Sequence, residues 1–332
     1  MAGRPRFRVE PEDFLVDEIS LYSPTGEGNH TFVRVEKRLL TSDGLARQLA
    51  EVAGVPARDV GYAGRKDRMA VTTQWMSVPG LDPEAALKLD LKGARVLEAA
   101  RHPHKLRTGH LQGNNFRIRV READESLEKR ARQSLAEILA RGMPNRFGAQ
   151  RFGRGGRNVA AGRDILSGNR TMRDRRKARF LVSALQSEVF NRVLDARPLP
   201  LDSVEEGDVA QVVDSGGLFV VEDAPAENQR AREFEISATG PIFGTRMLPP
   251  AGSVAIREAS IMESVGIPAP ADLVPPRGIR LLGARRPFRV RPESPSLKRE
   301  EDSLSLEFGL PPGSYATVFL SELFGDLEEG KA

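Results

Sequence analysis

The stretch NNFRIRV, residues 114–120, sets Asn114, Phe116, Ile118 and Val120 on one side of an extended chain and Asn115, Arg117 and Arg119 on the other. A period of two with one apolar and one charged face marks a strand with a single buried face. TFVRVEK, residues 31–37, alternates in the same way, Thr31, Val33 and Val35 against Phe32, Arg34 and Glu36. Residues 7–18 read as extended around Pro11, and 60–64 and 70–78 as strands on either side of a charged glycine turn. Between these runs the period becomes helical. Ser42-Asp43 offers an N-cap, Leu45, Leu49 and Val52 share a face, and Gly54 closes the segment. Asp82-Pro83 opens a second helix, and Leu127, Ala131, Leu135, Ile138 and Leu139 line the buried side of a third, ended by Gly142 and Pro144. Short strands and helices thus alternate in this part of the chain.

Past residue 142 the pattern changes, and 332 residues are enough for two domains. NRFGAQRFGRGGR, residues 145–157, interleaves arginines and phenylalanines with glycines and sustains no period, so it reads as a loop ordered by the fold or by a partner. Helices are predicted over 158–166 and about 171–195, the second opening on Thr171-Met172-Arg173-Asp174 in the manner of a capping box. VAQVV, LFVVE and FEISA are strand-like runs within 196–285. Residues 286–303 are polar and punctuated by proline, 304–308 read as a strand, and 311–325 as a turn into an amphipathic helix.

Composition removes several kinds of chemistry. With no cysteine there is no disulfide framework, no thiolate zinc site and no cysteine nucleophile. The pair His102 and His104 has no neighbouring acid and reads as solvated or phosphate-facing, so no metal is expected. No apolar run is long enough to cross a bilayer, and the opening MAGRPRFRVE has no hydrophobic signal core, which predicts a soluble, intracellular, cytoplasmic protein with no membrane partner. Nothing in the sequence bears on oligomeric state.

The net charge of +4 conceals an asymmetry: residues 141–180 hold twelve Arg and Lys against Asp164 and Asp174. A block so basic is a candidate polyanion surface, with Arg146, Arg151, Arg154 and Arg157 in its glycine-rich loop and Lys66 further upstream as candidate RNA contacts. Phe147 and Phe152, beside those arginines, suit either stacking on RNA bases or anchoring the loop to a core. The turn GRKDR, residues 64–68, is the best catalytic candidate. Neighbouring cations favour the carboxylate form of an aspartate such as Asp67, and an oriented carboxylate serves as nucleophile or base.

Read in order, the segments PEDFLVDE (11–18), GEGNHTFVRVEK (26–37), GYAGRKDRMAVTTQW (61–75), HPHKLRTGHLQGNNF (102–116), PNRFGAQRFGRGG (144–156) and PPGSYATVFLSEL (311–323) resemble the TruD-type tRNA pseudouridine synthases. The resemblance implies an α+β fold, with a pseudouridine-synthase catalytic domain, a mixed, largely antiparallel sheet with helices, over 1–141 plus 288–332. It implies an inserted α/β TRUD domain over 142–287. The expected substrate is tRNA, at uridine 13 of the D arm, converted to pseudouridine without metal or organic cofactor. Carried over by motif, the nucleophile falls on Asp67, its basic partner on Arg8, the aromatic that packs on the uracil on Phe116 with Asn114 beside it, and further pocket positions on Phe14 and Tyr315. Tyr315 stands where the family has phenylalanine. Whether Asp67 attacks the base or the ribose stays open, as does the alternative of a non-catalytic RNA-binding or RNA-chaperone protein.

Overall fold

The computed structural model describes residues 4–268 and 272–330. The chain divides into two compact units, one made of the residues through Leu135, Pro292–Ala316 and the chain from Leu323 on, the other of Ala136–Arg291 and Thr317–Glu322.

The first stretch of chain supplies β1 (Arg6–Phe7), β2 (Phe14–Ser20), β3 (His30–Arg38), β4 (Gly61–Tyr62), β5 (Val71–Pro79), β6 (Ala94–His102) and β7 (Leu111–Arg121), with α1 (Ser42–Ala53) after β3, α2 (Pro83–Leu87) after β5 and α3 (Glu125–Arg141) after β7. Val33 and Val35 of β3, Met76 and Val78 of β5 and Val96 of β6 form one apolar face, and α1 lays Leu45, Ala46, Leu49 and Ala50 on it. The cap of α1 is Thr41, whose hydroxyl accepts from the Gly44 amide, not Ser42. Ser42 lies one residue inside the helix, is buried, and has its hydroxyl turned toward another task described below. Val52 and Leu139, expected on buried faces, are exposed, because each falls at the edge of its helical stripe once the preceding core positions are packed. Gly61, on β4, has no room for a side chain: a Cβ would run into the Leu106 carbonyl and the Ser77 hydroxyl.

The second unit holds β8 (Met143–Pro144), α4 (Arg157–Leu166), α5 (Arg175–Asp195), β9 (Val209–Val212), β10 (Leu218–Val220), α6 (Ala224–Arg232), β11 (Ile236–Ile242), α7 (Gly252–Ser264), β12 (Ala284–Pro287) and β13 (Arg289–Val290). Its antiparallel sheet runs β10-β9-β11-β12, and β8 pairs with β13 where the chain enters and leaves. Leu181, Leu185, Val189 and Phe190 of α5 form its core with Ile236 and Ala238 of β11. Gly162 lets α4 approach the Leu181 carbonyl of α5 closely. The cap of α5 is Asp174, not Thr171: its carboxylate accepts from the Arg176 and Lys177 amides at 2.9 and 3.0 Å. Those amides, Lys177 foremost, hold the Asp174 carboxyl below its usual range. An anion at that end answers the cations crowded into the first turns.

The chain returns to the first unit through β14 (Glu293–Glu300) and β15 (Ser303–Leu310); α8 (Ala316–Phe324) follows, most of it counted with the second unit, and then β16 (Glu328–Glu329) in the first. Among the described residues the sheet has ten strands, in the order β14-β15-β7-β2-β5-β3-β6, with β1, β4 and β16 paired off this path. Only β2–β5 and β1–β16 are parallel pairs, so the sheet is mixed and largely antiparallel, as expected. The polar segment 286–303 proves rich in strand. β14 is the end strand of that order, paired with β15, and such a strand needs no alternation of apolar residues for a reader to find.

β3 and β6 bring His30 opposite His102. His102 is buried, stacked on Tyr22 with ring centroids 5.2 Å apart, while His104 is exposed, so the pair is not jointly solvated. Burial foremost pushes both His30 and His102 below the ordinary histidine value. The native state then resists protons that the unfolded chain accepts. Stability is full above the ordinary value of about 6.5 and falls as pH drops below it. Urea denaturation across that range will show the decline, and His102→Phe will flatten it.

Candidate active site

The loop between β4 and β5 carries Asp67, whose carboxylate is held from two directions. Arg8, which follows β1, brings Nη2 to 3.0 Å from Asp67 Oδ2. The other carboxylate oxygen accepts from the Met69 amide at 3.2 Å. Arg8 is buried and holds a left-handed backbone with φ of +54°, a conformation that costs an ordinary residue on the order of 1–2 kcal/mol. Its guanidinium carbon lies 4.0 Å from the centre of the Phe14 ring, and its Nη1 reaches Glu329 Oε1 at 2.8 Å. Glu329 is held there because β16 pairs in parallel with β1.

Phe14 meets Phe116 edge-on at 6.1 Å, and Phe116 stacks on Phe308 at 5.1 Å with planes 17° apart. Register explains the row: Phe116 lies opposite Val16 on β2 and opposite Phe308 on β15. Phe14 and Phe308 are buried, whereas Phe116 keeps part of its surface accessible. Two residues along, Glu18 lies opposite Asn114 on the same face.

Lys66 does not stand at the surface as a phosphate contact would. Its Nζ lies 2.7 Å from Glu18 Oε2 and donates to Asn114 Oδ1, and both side chains of the ion pair are nearly inaccessible, 6% and 1%. Its main-chain amide donates to the Ser42 hydroxyl at 2.9 Å, which in turn donates to Gln74 Oε1. Glu18 Oε1 accepts from the Trp75 amide. Asp67, Arg8, Phe14, Phe116, Asn114 and Lys66 thus form one connected group. Tyr315 is half-buried on the turn between β15 and α8.

The arginines of the glycine-rich loop belong to the second unit. Arg154 and Arg157 are exposed. Arg146 is paired with Asp195, and Arg151 donates to the hydroxyls of Ser183 and Ser187. Phe147 and Phe152 pack against the core of that unit, Phe147 edge-on to Phe190 at 5.5 Å. They anchor the loop.

Glu18, Phe308, Ser42, Lys37 and Glu329 are members of the group that the sequence reading passes over. Glu18 was within reach, two and four residues from Val16 and Phe14 on one strand face. Phe308 had the alternation of LSLEF. Ser42 looked like a cap, and Lys37 and Glu329 carry no local signal. A cavity of about 480 Å³ is lined by Asp17, Thr73, Asn115, Arg117 and Glu307, which alternate along their strands with the residues of the Asp67 group, and by Phe116 and Phe308 of that group. Among the described residues no cluster of His, Asp or Glu is arranged to hold a metal ion, and no helix is long and apolar enough to cross a membrane.

A family model described as tRNA pseudouridine synthase D (TruD) matches residues 3–173 and 170–323. The chain is 40% identical to the tRNA pseudouridine synthase D of Geobacter sulfurreducens over 96% of its own length and 93% of that protein's. It is 46% identical to that of Anaeromyxobacter dehalogenans over 95% and 91%. The crystal structure of a putative tRNA pseudouridine synthase D from Methanosarcina mazei superposes with a TM-score of 0.74 at 25% identity, covering 98% of this chain and 94% of that one. The chain belongs to the TruD family of tRNA pseudouridine synthases and is an isomerase.

The pair of Lys66 and Glu18 generates a test of the frame around Asp67. Lys66→Met leaves a buried carboxylate without its cation and will cost about 3–5 kcal/mol in urea denaturation, with much of the loss recovered when Glu18→Leu is added.

Proposed function

We propose that the chain converts uridine 13 in the D arm of tRNA to pseudouridine, with Asp67 as nucleophile. The observation that carries this reading is the Asp67 carboxylate, clamped by Arg8 beside an aromatic row of which Phe116 alone presents surface. The choice of uridine 13 rests on the resemblance of the motifs.

The reaction is an isomerisation, and its balance needs nothing from outside. The bond from N1 to C1′ breaks, the uracil turns, C5 bonds to C1′, and the bond that the Asp67 carboxylate forms, to the base or to C1′, breaks again within the same turnover. The proton on C5 leaves, and N1 ends protonated. A base inside folded RNA has to be swung out for this chemistry, and the flat ring then rests against Phe116. Arg8 aims one carboxylate oxygen while the Met69 amide holds the other, so attack requires little reorganisation. The amide of Asn114, steadied by Lys66, lies on the same sheet face to meet polar edges of the uracil. Lys66 acts in this scheme by holding Asn114 and Glu18, not by gripping phosphate.

The second unit is read as the inserted domain that grips the tRNA backbone, through Arg154 and Arg157 more than through Arg146, which already has Asp195. No cofactor or metal takes part in any step of this scheme.

Asp67→Asn will abolish pseudouridine formation in a tRNA transcript while tRNA binding persists. Turnover by that variant removes Asp67 from the nucleophile role, and a wild-type protein that binds tRNA without modifying it would favour the RNA-chaperone alternative. Reversing Arg154 and Arg157 to Glu will weaken binding and lower the slope of log Kd against log salt by about two. An unchanged slope places the phosphate grip elsewhere.

A further inference from the structure

Lys37 is the charged group of this site that the proposed chemistry leaves without a task. It ends the stripe Val33, Val35, Lys37 on the buried face of β3, opposite Thr72 of β5, and is 1% exposed. Among the described residues it has no ion-pair partner. Its Nζ donates to two main-chain carbonyls, Leu40 at 2.6 Å and Asp67 at 2.9 Å. An ammonium buried against neutral partners is expensive. A methionine of the same length would fill the space without that cost. The turn that Lys37 reaches over also offers the Ser42 hydroxyl to the Lys66 amide, so Ser42 and Lys37 hold two successive residues of the loop, Lys66 by its N–H and Asp67 by its C=O.

We propose that Lys37 is a positioning residue for Asp67: its ammonium fixes the main-chain carbonyl of the nucleophile, and with it the loop conformation in which the carboxylate meets Arg8. The inference rests on the reading of Asp67 as nucleophile. It adds a cation beneath the loop, beside the Arg8 that meets Asp67 and Glu329 and the Lys66 that meets Glu18.

Burial pushes the Lys37 ammonium down to about 8, the Asp67 carboxylate opposing the shift and Lys66 adding to it. Thr72, Gln74 and Ser42, the other polar groups on the elements packed around it, are uncharged. The positioning charge is therefore present at neutral pH and is lost as pH rises through about 8. A weaker, neutral amine remains above that point.

The test is single-turnover pseudouridine formation in a tRNA transcript across this pH range, for the wild type, Lys37→Met and Lys37→Gln, with the fold of each checked by circular dichroism. We expect Lys37→Met to lower the rate at saturating enzyme by about a hundredfold while tRNA affinity changes less than about twofold. We expect Lys37→Gln, which keeps a donor, to recover part of that loss. We expect the wild-type rate to decline above pH of about 8 and the decline to be missing from Lys37→Met. Should Lys37→Met not fold, the wild-type profile and Lys37→Gln decide the matter. A folded variant with an undiminished rate, a loss confined to tRNA affinity, or the same alkaline decline in both proteins overturns the inference. None of these touches the role of Asp67, which fails only if Asp67→Asn turns over.

Discussion

The Arg8 guanidinium has to serve two carboxylates and an aromatic ring at once, and the arrangement of the first unit follows from that demand. One nitrogen points to Asp67, another to Glu329, and the flat of the group lies on Phe14. Holding it there takes a left-handed residue at the end of a two-residue strand, pinned from one side by β7 and from the other by β16. The strain is local, and the contacts that outweigh it come from nearby Phe14 and from two distant parts of the chain. A lysine would deliver charge to Asp67 but neither the second parallel contact nor the stack on Phe14, because only a planar fork does all three.

Around that fork the charges are arranged in two tiers. Arg8 meets the Asp67 side chain; Lys66 and Lys37 secure what surrounds it, one through Glu18 and Asn114 and the other through the loop's own carbonyl. Much of the arginine in the second unit is likewise committed inward. Arg285 and Glu258 form a buried pair, Arg197 meets Asp208, and Arg289 caps the carbonyls of Arg141, Ala231 and Ile236. Burial pushes Arg289 down to about 10. A count of basic residues in sequence therefore overstates the positive surface open to a polyanion.

What could be read from the sequence was local. Period-two alternation found β3, β7 and β15, and Asp82 and Gly54 marked helix ends, because each of those signals lies within a few residues. The loop of Asp67 was visible as GRKDR, and the motifs around it placed Arg8, Phe14, Asn114 and Phe116. Pairings across the chain were not visible. Lys66 reads as an RNA contact because Glu18, its partner, is 48 residues away in sequence, and nothing near Lys37 points to the carbonyl it holds, which belongs to residue 67. The caps of α1 and α5 moved by one and three residues for a related reason. Several residues at each helix start were chemically able to cap, and tertiary packing chose among them by claiming Ser42 for the loop.

The order of strands in the large sheet has a consequence for synthesis. β15, which stacks Phe308 on Phe116 and pairs the long outer edge of β7, is made only after the whole of the second unit, and Glu329 later still. On the ribosome, β7 waits with that edge open while Ala136–Arg291 emerges, an interval on the order of ten seconds or more at ordinary elongation rates of about 5–20 residues per second. During that interval an unpaired interior strand invites wrong neighbours. The charged residues Arg117, Arg119 and Arg121 along β7 disfavour such pairing in the nascent chain until Glu307 and its strand arrive to take the place.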